Sequence, residues 1–444
     1  MKAWDPHNPP LVDDFKVNKE VYYSPEYAQL EKDRLWPKVW QVACREEELP
    51  SVGSYVTYDI LDDSIIVVRT SGTEIKAFNN ACRHRGRRLT TDCGQTSKFV
   101  CRFHGWKWRL DGSNCDITDQ PEFGGLDTST LGLKEFKVGR WGGFVFVNMD
   151  PDCVPFETYI APVAKHLDCL EFEKQRYRWY ISVEVEANWK DTQEAFMESY
   201  HVAYTHPTLE AHVDSRSFSL AHGDYGHGQV RFIPTDAQVV GYHFGGQNPV
   251  DGRASAYESI RTQGHDIQSI FSDRDVQAAA RILTECPEGT SYTDALGTAL
   301  GFMREAAIAA GAGFPNVTPQ QLYDAGFDWI IFPNTVNVLS PTGGLWYRVF
   351  PTRDNNPDRC IFEMYALERF TPGSEPKIVK KHFKNWAEFP DLPPFLINDF
   401  INTPEVHRGL KTRGFTSPVF NPVQEVAISN FHRVLKKYLD GEME

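Results

Sequence analysis

Cys82-Arg83-His84-Arg85-Gly86 and Cys101-Arg102-Phe103-His104-Gly105-Trp106 are the two stretches that decide how the first third of this 444-residue chain must fold. Sixteen residues separate His84 from Cys101. Each stretch lies where a β-like run gives way to a glycine-containing loop. Each loop offers one soft thiolate and one imidazole, so together they make a four-ligand cage for a metal centre. A zinc finger usually groups Cys with Cys and His with His. Alternation within each pair suits two irons instead, with both thiolates on one and both imidazoles on the other. Imidazole is neutral where thiolate is anionic, so such a cluster has a raised potential. A zinc site is the structural alternative.

Outward from these loops the texture predicts a small antiparallel β domain. Ser54-Tyr-Val-Thr-Tyr58, Ser64-Ile-Ile-Val-Val68 and Glu74-Ile-Lys-Ala-Phe78 have the length and β-branched content of strands. Pro151, Pro155 and Pro162 mark a boundary. Beyond it, strands are expected at 178–187 and in three runs between 328 and 369. Helices are expected at 188–204, 274–283, 295–310, 376–388 and 423–440, making the second domain α+β. The expected division is an N-terminal segment, 1–37, resting on the catalytic domain, a β domain at 38–155 and a catalytic domain at 156–444.

Composition excludes several classes. Apolar residues make up 41% and charged residues 24%, an ordinary globular balance. A net charge of −14 argues against general nucleic-acid binding. No run approaches ~18 consecutive apolar residues, so no membrane span is expected. The opening Met1-Lys-Ala-Trp-Asp5-Pro lacks an apolar signal region, which predicts a cytoplasmic protein. In that reducing compartment the nine cysteines are thiols or metal ligands, and the seven outside the two loops read as packing residues. Gly143-Phe-Val-Phe-Val147 and Trp329-Ile-Ile-Phe332 read as buried strands.

A second constellation lies in Asn188-Trp-Lys190-Asp-Thr-Gln-Glu194-Ala-Phe-Met-Glu198-Ser-Tyr200-His201-Val-Ala-Tyr-Thr-His206-Pro207. On a continuous helix Glu194, Glu198 and His201 share one face. His206 follows at the helix end. Two imidazoles so placed can converge on one ion, and a carboxylate would complete a 2-His-1-carboxylate triad with open positions for non-heme iron chemistry.

Both motifs, in this order, closely resemble those of Rieske non-heme iron oxygenases, the family of aromatic ring-hydroxylating alpha subunits. Arg102 and Phe103 stand where that family usually has Pro and Tyr. The resemblance implies a [2Fe–2S] cluster on Cys82, His84, Cys101 and His104, and a mononuclear iron on His201 and His206. It places the third iron ligand at Asp399, eight residues before His407-Arg-Gly-Leu410, where His407 replaces the usual Gln; Asp391 is the fallback. It gives Glu198 the role of electron-transfer bridge between an iron-bound histidine and a cluster histidine of a neighbouring subunit. It implies a helix-grip catalytic domain, a homotrimer with or without a β subunit, and electrons from NADH or NADPH through a reductase or ferredoxin.

The substrate is expected to be apolar, aromatic or cyclic, and attacked with O2. N- or O-demethylation, or oxidation of a quaternary amine, is the alternative, toward which Glu198 leans. A zinc-stapled β module fused to an apolar ligand carrier is the non-enzyme alternative. Candidate pocket walls are Met197, Leu209, His212, Val213 and the strands 329–332 and 335–339, with residues 234–325 covering the entrance. Eight basic residues (Arg83, Arg85, Arg87, Arg88, Lys98, Arg102, Lys107 and Arg109) face Asp92 alone between 82 and 109. They either steer an acidic electron donor or brace the loops.

Overall fold

The computed structural model of the protein describes residues 16–206, 217–232, 251–390 and 392–443. The chain divides into two units, one built mainly from residues 29–161 and one from residues up to 28, 162–352 and 356–440. The division at Ala161–Pro162 falls inside the helix Phe156–Leu167 rather than at 155. The N-terminal segment is split as well. Residues 16–28 belong to the larger unit, where Val17 and Tyr22 pack with Leu410 and Lys19 Nζ donates to Thr412 O at 2.8 Å. From Gln29 the chain groups with the smaller unit.

The smaller unit holds ten strands: β1 (Gln41–Arg45), β2 (Ser54–Ile60), β3 (Asp63–Arg69), β4 (Ile75–Asn79), β5 (Gly94–Gln95), β6 (Phe99–Val100), β7 (Lys107–Trp108), β8 (Asn114–Asp116), β9 (Glu135–Trp141) and β10 (Phe144–Asn148). Seven pair antiparallel in the order β1-β10-β9-β4-β3-β2-β5, and β6-β7-β8 form a separate small sheet. The alternation of β2 buries Ser54, Val56, Tyr58 and Ile60 and turns the residues between them outward, as a half-covered sheet requires. Ile66, Val68, Phe78 and Trp108 form the core in which Cys82 and Cys101 are also buried.

The larger unit is an eight-stranded sheet of β11 (Arg176–Val185), β12 (Ser217–His222), β13 (His227–Phe232), β14 (Asp328–Ile331), β15 (Thr335–Leu339), β16 (Gly343–Pro351), β17 (Cys360–Glu368) and β18 (Lys381–Phe383). Its order is β12-β13-β14-β15-β16-β17-β11-β18, antiparallel except for β11 with β18. The helices beside it include α1 (Trp189–Glu194), α2 (Val202–Thr205), α3 (Gly252–His265), α4 (Asp273–Ala279), α5 (Tyr292–Ala309), α6 (Pro394–Leu410) and α7 (Val426–Asp440). This is the expected α+β architecture of helices over an antiparallel sheet. The helix α7 lies against β12 and β13, where Ala427 N donates to Ser219 Oγ at 3.0 Å. A Cβ at Gly228 would meet Ala427 Cβ at 2.6 Å, so the close approach requires glycine there. Burying α7 side chains such as Phe431 and Leu435 stabilises the packing of that helix by roughly 1.5–3 kcal/mol each.

Several expectations need correction. The run 328–369 forms four strands rather than three. Residues 376–388 carry β18 and a 3-10 turn, Trp386–Glu388, rather than a helix; the charged residues there have no apolar stripe to bury. Residues 394–410 form a helix that was not expected. Pro394 starts the helix, where a missing N–H costs nothing, and Pro404 is accommodated inside it. All nine cysteines are free, but Cys93 is exposed and is no packing residue. Among the described residues no helix is long and apolar enough to cross a membrane.

Candidate metal centres

The two cysteine loops are near copies of each other. Cys82 N donates to Arg87 O at 2.9 Å and Cys101 N to Trp106 O at 2.8 Å. Gly86 N returns to Cys82 O, and Gly105 N to Cys101 O, each at 2.9 Å. Both glycines hold left-handed backbone, with φ of 75° and 78°. The shared four-residue reversal sets the two loops side by side, although the histidine stands one position later in the second. The thiols are buried and the imidazoles lie nearer the surface. Burial, and then the neighbouring Cys101, raise the Cys82 thiol above its ordinary pKa despite opposing backbone hydrogen bonds. His84 Nδ1 and His104 Nδ1 approach to 3.1 Å.

The loops therefore offer a pair of thiols and a pair of imidazoles. Among the described residues, the group that places three ligand atoms within 4.8 Å of one another is His201, His206 and Asp399, not a set from these loops. One zinc ion needs four ligand atoms about that close, whereas a two-iron cluster needs the separated pairs. The donor set and its geometry fit the cluster. Around it, His84 stacks on Trp106 at 4.9 Å and Phe103 covers His104 at 3.9 Å. Of the basic residues nearby, Arg88 pairs with Asp59 at 2.7 Å and Lys107 with Asp116 at 2.5 Å, while Arg83, Arg85 and Arg102 are exposed.

In the larger unit, 188–204 is not one helix. Asn188 caps α1 by accepting from Lys190 N, and Phe196 N and Met197 N then bond only three residues back. The Glu198 carboxylate takes the next donors. Its Oε2 accepts from the Tyr200 and His201 backbone amides, and its Oε1 from His201 Nδ1 at 2.8 Å. A carboxylate that bonds local amides competes with the helical ladder, and the helix restarts at Val202. Glu194, Glu198 and His201 therefore share no helix face. Glu194 instead binds Tyr22 Oη at 2.9 Å and His432 Nε2 at 2.6 Å.

A carboxylate only accepts, so the Glu198 contact keeps a hydrogen on His201 Nδ1 and leaves Nε2 as the nitrogen that would bind an ion in exchange for its proton. That Nε2 lies 3.7 Å from Asp399 Oδ1, and His206 Nε2 lies 3.2 Å from the same oxygen. The placement of Asp399 is fixed by α6, whose Asn398 Nδ2 donates to Thr205 O at 2.8 Å beside His206. Asp399 Oδ2 and His206 Nδ1 are buried without a hydrogen-bond partner among the described residues. Burial opposes a charged His201, but Glu198 and then Asp399 and Asp328 outweigh it and raise its pKa to about 9. The site thus attracts a cation, and its donors match those of non-heme iron. The fallback Asp391 lies outside the described residues.

A pocket partly open to solvent adjoins these three residues. Its walls include Phe196, Phe232, Phe327, Phe395, Val338 and Leu345. Val338 lies on one of the expected wall strands. Met197 and Trp329 are buried elsewhere, Trp329 against His222 at 4.7 Å. Leu209, His212 and Val213 lie outside the described residues. From the expected covering segment come Gln263, Ile267 and Ile270.

Four polar wall residues, Ser199, Gln263, Asp328 and Tyr347, were missed. Tyr347 and Asp328 sit on strands, where alternation made them look like ordinary sheet residues. Burial holds the Asp328 carboxyl well above the usual range, with His201 opposing and Glu198 adding to the shift. His407 does not face the pocket. Its Nδ1 lies 2.7 Å from Asp191 Oδ2 and its Nε2 3.0 Å from Asp358 Oδ1, which fastens α6 to α1.

The family described as ring hydroxylating alpha subunit (catalytic domain) matches residues 172–441, and the Rieske [2Fe-2S] domain matches residues 39–136. The carnitine monooxygenase oxygenase subunit of Acinetobacter pittii (strain PHEA-2) is 28% identical over 213 residues, covering 44% of this chain and 56% of its own length. The anthranilate 1,2-dioxygenase large subunit of Acinetobacter baylyi is 30% identical over 219 residues, covering 47% and 46%. The chain thus spans about half the length of the curated relatives it matches. A crystal structure of naphthalene 1,2-dioxygenase from Rhodococcus sp. bound to indole superposes with a TM-score of 0.65 at 20% identity, covering 97% of this chain and 96% of that one. At that identity the likeness establishes the fold.

Proposed function

The chain belongs to the ring-hydroxylating alpha-subunit family and carries its Rieske domain, and from this we propose that it is the terminal oxygenase component of a Rieske-type system acting on a largely apolar substrate. The observation that carries the reading is the convergence of His201, His206 and Asp399 beside an aromatic-walled pocket. When bound, a [2Fe–2S] cluster on Cys82, His84, Cys101 and His104 supplies one-electron transfer, and iron at the triad supplies O2 activation. The protein's own residues do the rest. Glu198 fixes the tautomer of His201 and keeps its Nε2 available. Asn398 and His407 hold α6 so that Asp399 reaches the two imidazoles. The phenylalanines around the pocket exclude water and orient an apolar body.

By the same reading the chain works as a homotrimer, with a β subunit as an open addition. Glu198 then links His201 to a cluster histidine of a neighbouring copy. NADH or NADPH electrons arrive through a reductase or ferredoxin, and the exposed Arg83, Arg85 and Arg102 favour an acidic partner. The domain division, the site residues and the cytoplasmic location are parts of this proposal. The test is a single turnover: reduced protein is mixed with O2 and panels of apolar, cyclic and amine compounds. One oxygenated or demethylated product is expected. Cluster reoxidation without any product across the panels would count against the reading.

A further inference from the structure

Of the polar residues that line the pocket away from the triad, two carry a buried acceptor without a donor among the described residues. Asp328 opens β14 opposite Val338 of β15, and Gln263 lies near the end of α3. Both line the pocket and are more than nine-tenths buried. Gln263 Nε2 is anchored on Ser259 Oγ at 3.1 Å, leaving Gln263 Oε1 unpaired; Asp328 Oδ1 is unpaired too, among the described residues. Orphaned buried acceptors each cost about 1–3 kcal/mol, so two in one cavity point to a ligand that donates to them.

The charge balance narrows the ligand. Glu198, Asp328 and Asp399 all line this pocket, and among the described residues no Lys or Arg does. A divalent ion at the triad offsets two of these carboxylates; Asp328, which burial holds toward its protonated form, is the one left for a ligand cation to draw into ionisation. The aromatic walls, Phe196, Phe232, Phe327 and Phe395, suit either an apolar body or a cation over a ring face. We propose that Asp328 and Gln263 form a substrate-recognition subsite for a protonated amine bearing N–H hydrogens, carried on an apolar body. The inference rests on the oxygenase reading and names its substrate class. It differs from a quaternary-ammonium site, since a trimethylated nitrogen has no hydrogen to give either oxygen.

The test is calorimetric binding of 2-phenylethylammonium and of its N,N,N-trimethyl counterpart to the iron-loaded protein. The wild type should favour the N–H probe by about tenfold to a hundredfold, the worth of one or two charge-assisted hydrogen bonds. Asp328→Asn, which keeps shape and removes charge, should erase most of that preference, and Gln263→Leu part of it. A thermal melt verifies that each variant is folded. Equal affinity for the two probes, no saturable wild-type binding, or an unchanged preference in folded Asp328→Asn overturns the subsite. Iron content and the cluster spectrum are measured on the same samples. Their absence overturns the oxygenase reading, whereas their presence with no N–H preference overturns the subsite alone.

Discussion

Cys82, His84, Cys101 and His104 come from 23 consecutive residues, whereas His201 and His206 wait for Asp399 from a helix near the other end of the chain. The cluster loops are positioned by two local reversals of the same backbone shape, each closed by its own glycine. The triad is positioned by packing and long-range hydrogen bonds, Asn398 to Thr205 and His407 to Asp191. A local site survives damage elsewhere in the chain. An assembled site depends on every element that sets α6 against α1 and α2. The two centres should therefore be separable by mutation.

Asp399→Ala is expected to have the largest effect. It should abolish oxygenation and lower iron from about three to about two per chain, while the cluster spectrum persists. Loss of the cluster signal in the same variant would break the separation. Glu198→Gln should cost less, about 10- to 100-fold in triad metal affinity or turnover, because it weakens the partner that orients His201. Titrating metal into the variant measures this, and wild-type affinity and turnover would refute the positioning role.

Within the cluster site, Gly105→Ala and Gly86→Ala sharpen the comparison. Each forces a side chain into left-handed backbone at about 1–2 kcal/mol. At Gly105 the new Cβ also meets Thr118 Oγ1 at 2.9 Å, whereas at Gly86 it meets nothing within 4 Å. Gly105→Ala should therefore lose its cluster at lower temperature than Gly86→Ala, with triad metal binding unchanged in both.

The smallest effect concerns pH. Burial raises the Asp191 carboxyl to about 6, against the opposing His407, and His407 is itself raised by Asp191 although burial opposes it. The folded pair thus holds protons that the unfolded chain releases. Its contribution to stability is greatest at low pH and declines as pH rises from about 4 through 6 and beyond. The slope is at most about 1.4 kcal/mol per pH unit for one proton. Comparing urea unfolding of wild type with Asp191→Asn/His407→Gln from pH 4 to 8 checks this. The difference between the two proteins should change with pH in that direction.

The contrast between local and assembled sites also explains what was legible in the sequence. The Cys-x-His-x-Gly and Cys-x-x-His-Gly loops carry their geometry in their spacing, and β2 and β3 carry theirs in alternation and β-branched content. Glu198 was legible as a residue but not as a helix breaker, because its bonds to the Tyr200 and His201 amides are a choice made by the folded site. Asp399 was legible only through resemblance, since the prolines of α6 hide a helix that tertiary packing supports. Asp328 and Gln263 were not legible at all. Nothing local distinguishes a strand aspartate or a helix glutamine that faces solvent from one that faces a pocket.

The central claim is that this chain carries two distinct iron centres. It is tested most directly by visible absorption and low-temperature EPR of the anaerobically purified, dithionite-reduced protein, with iron and zinc quantified on the same sample. A brown protein with a Rieske-type signal and about three irons per chain is predicted. A colourless protein bearing zinc in place of iron would contradict it.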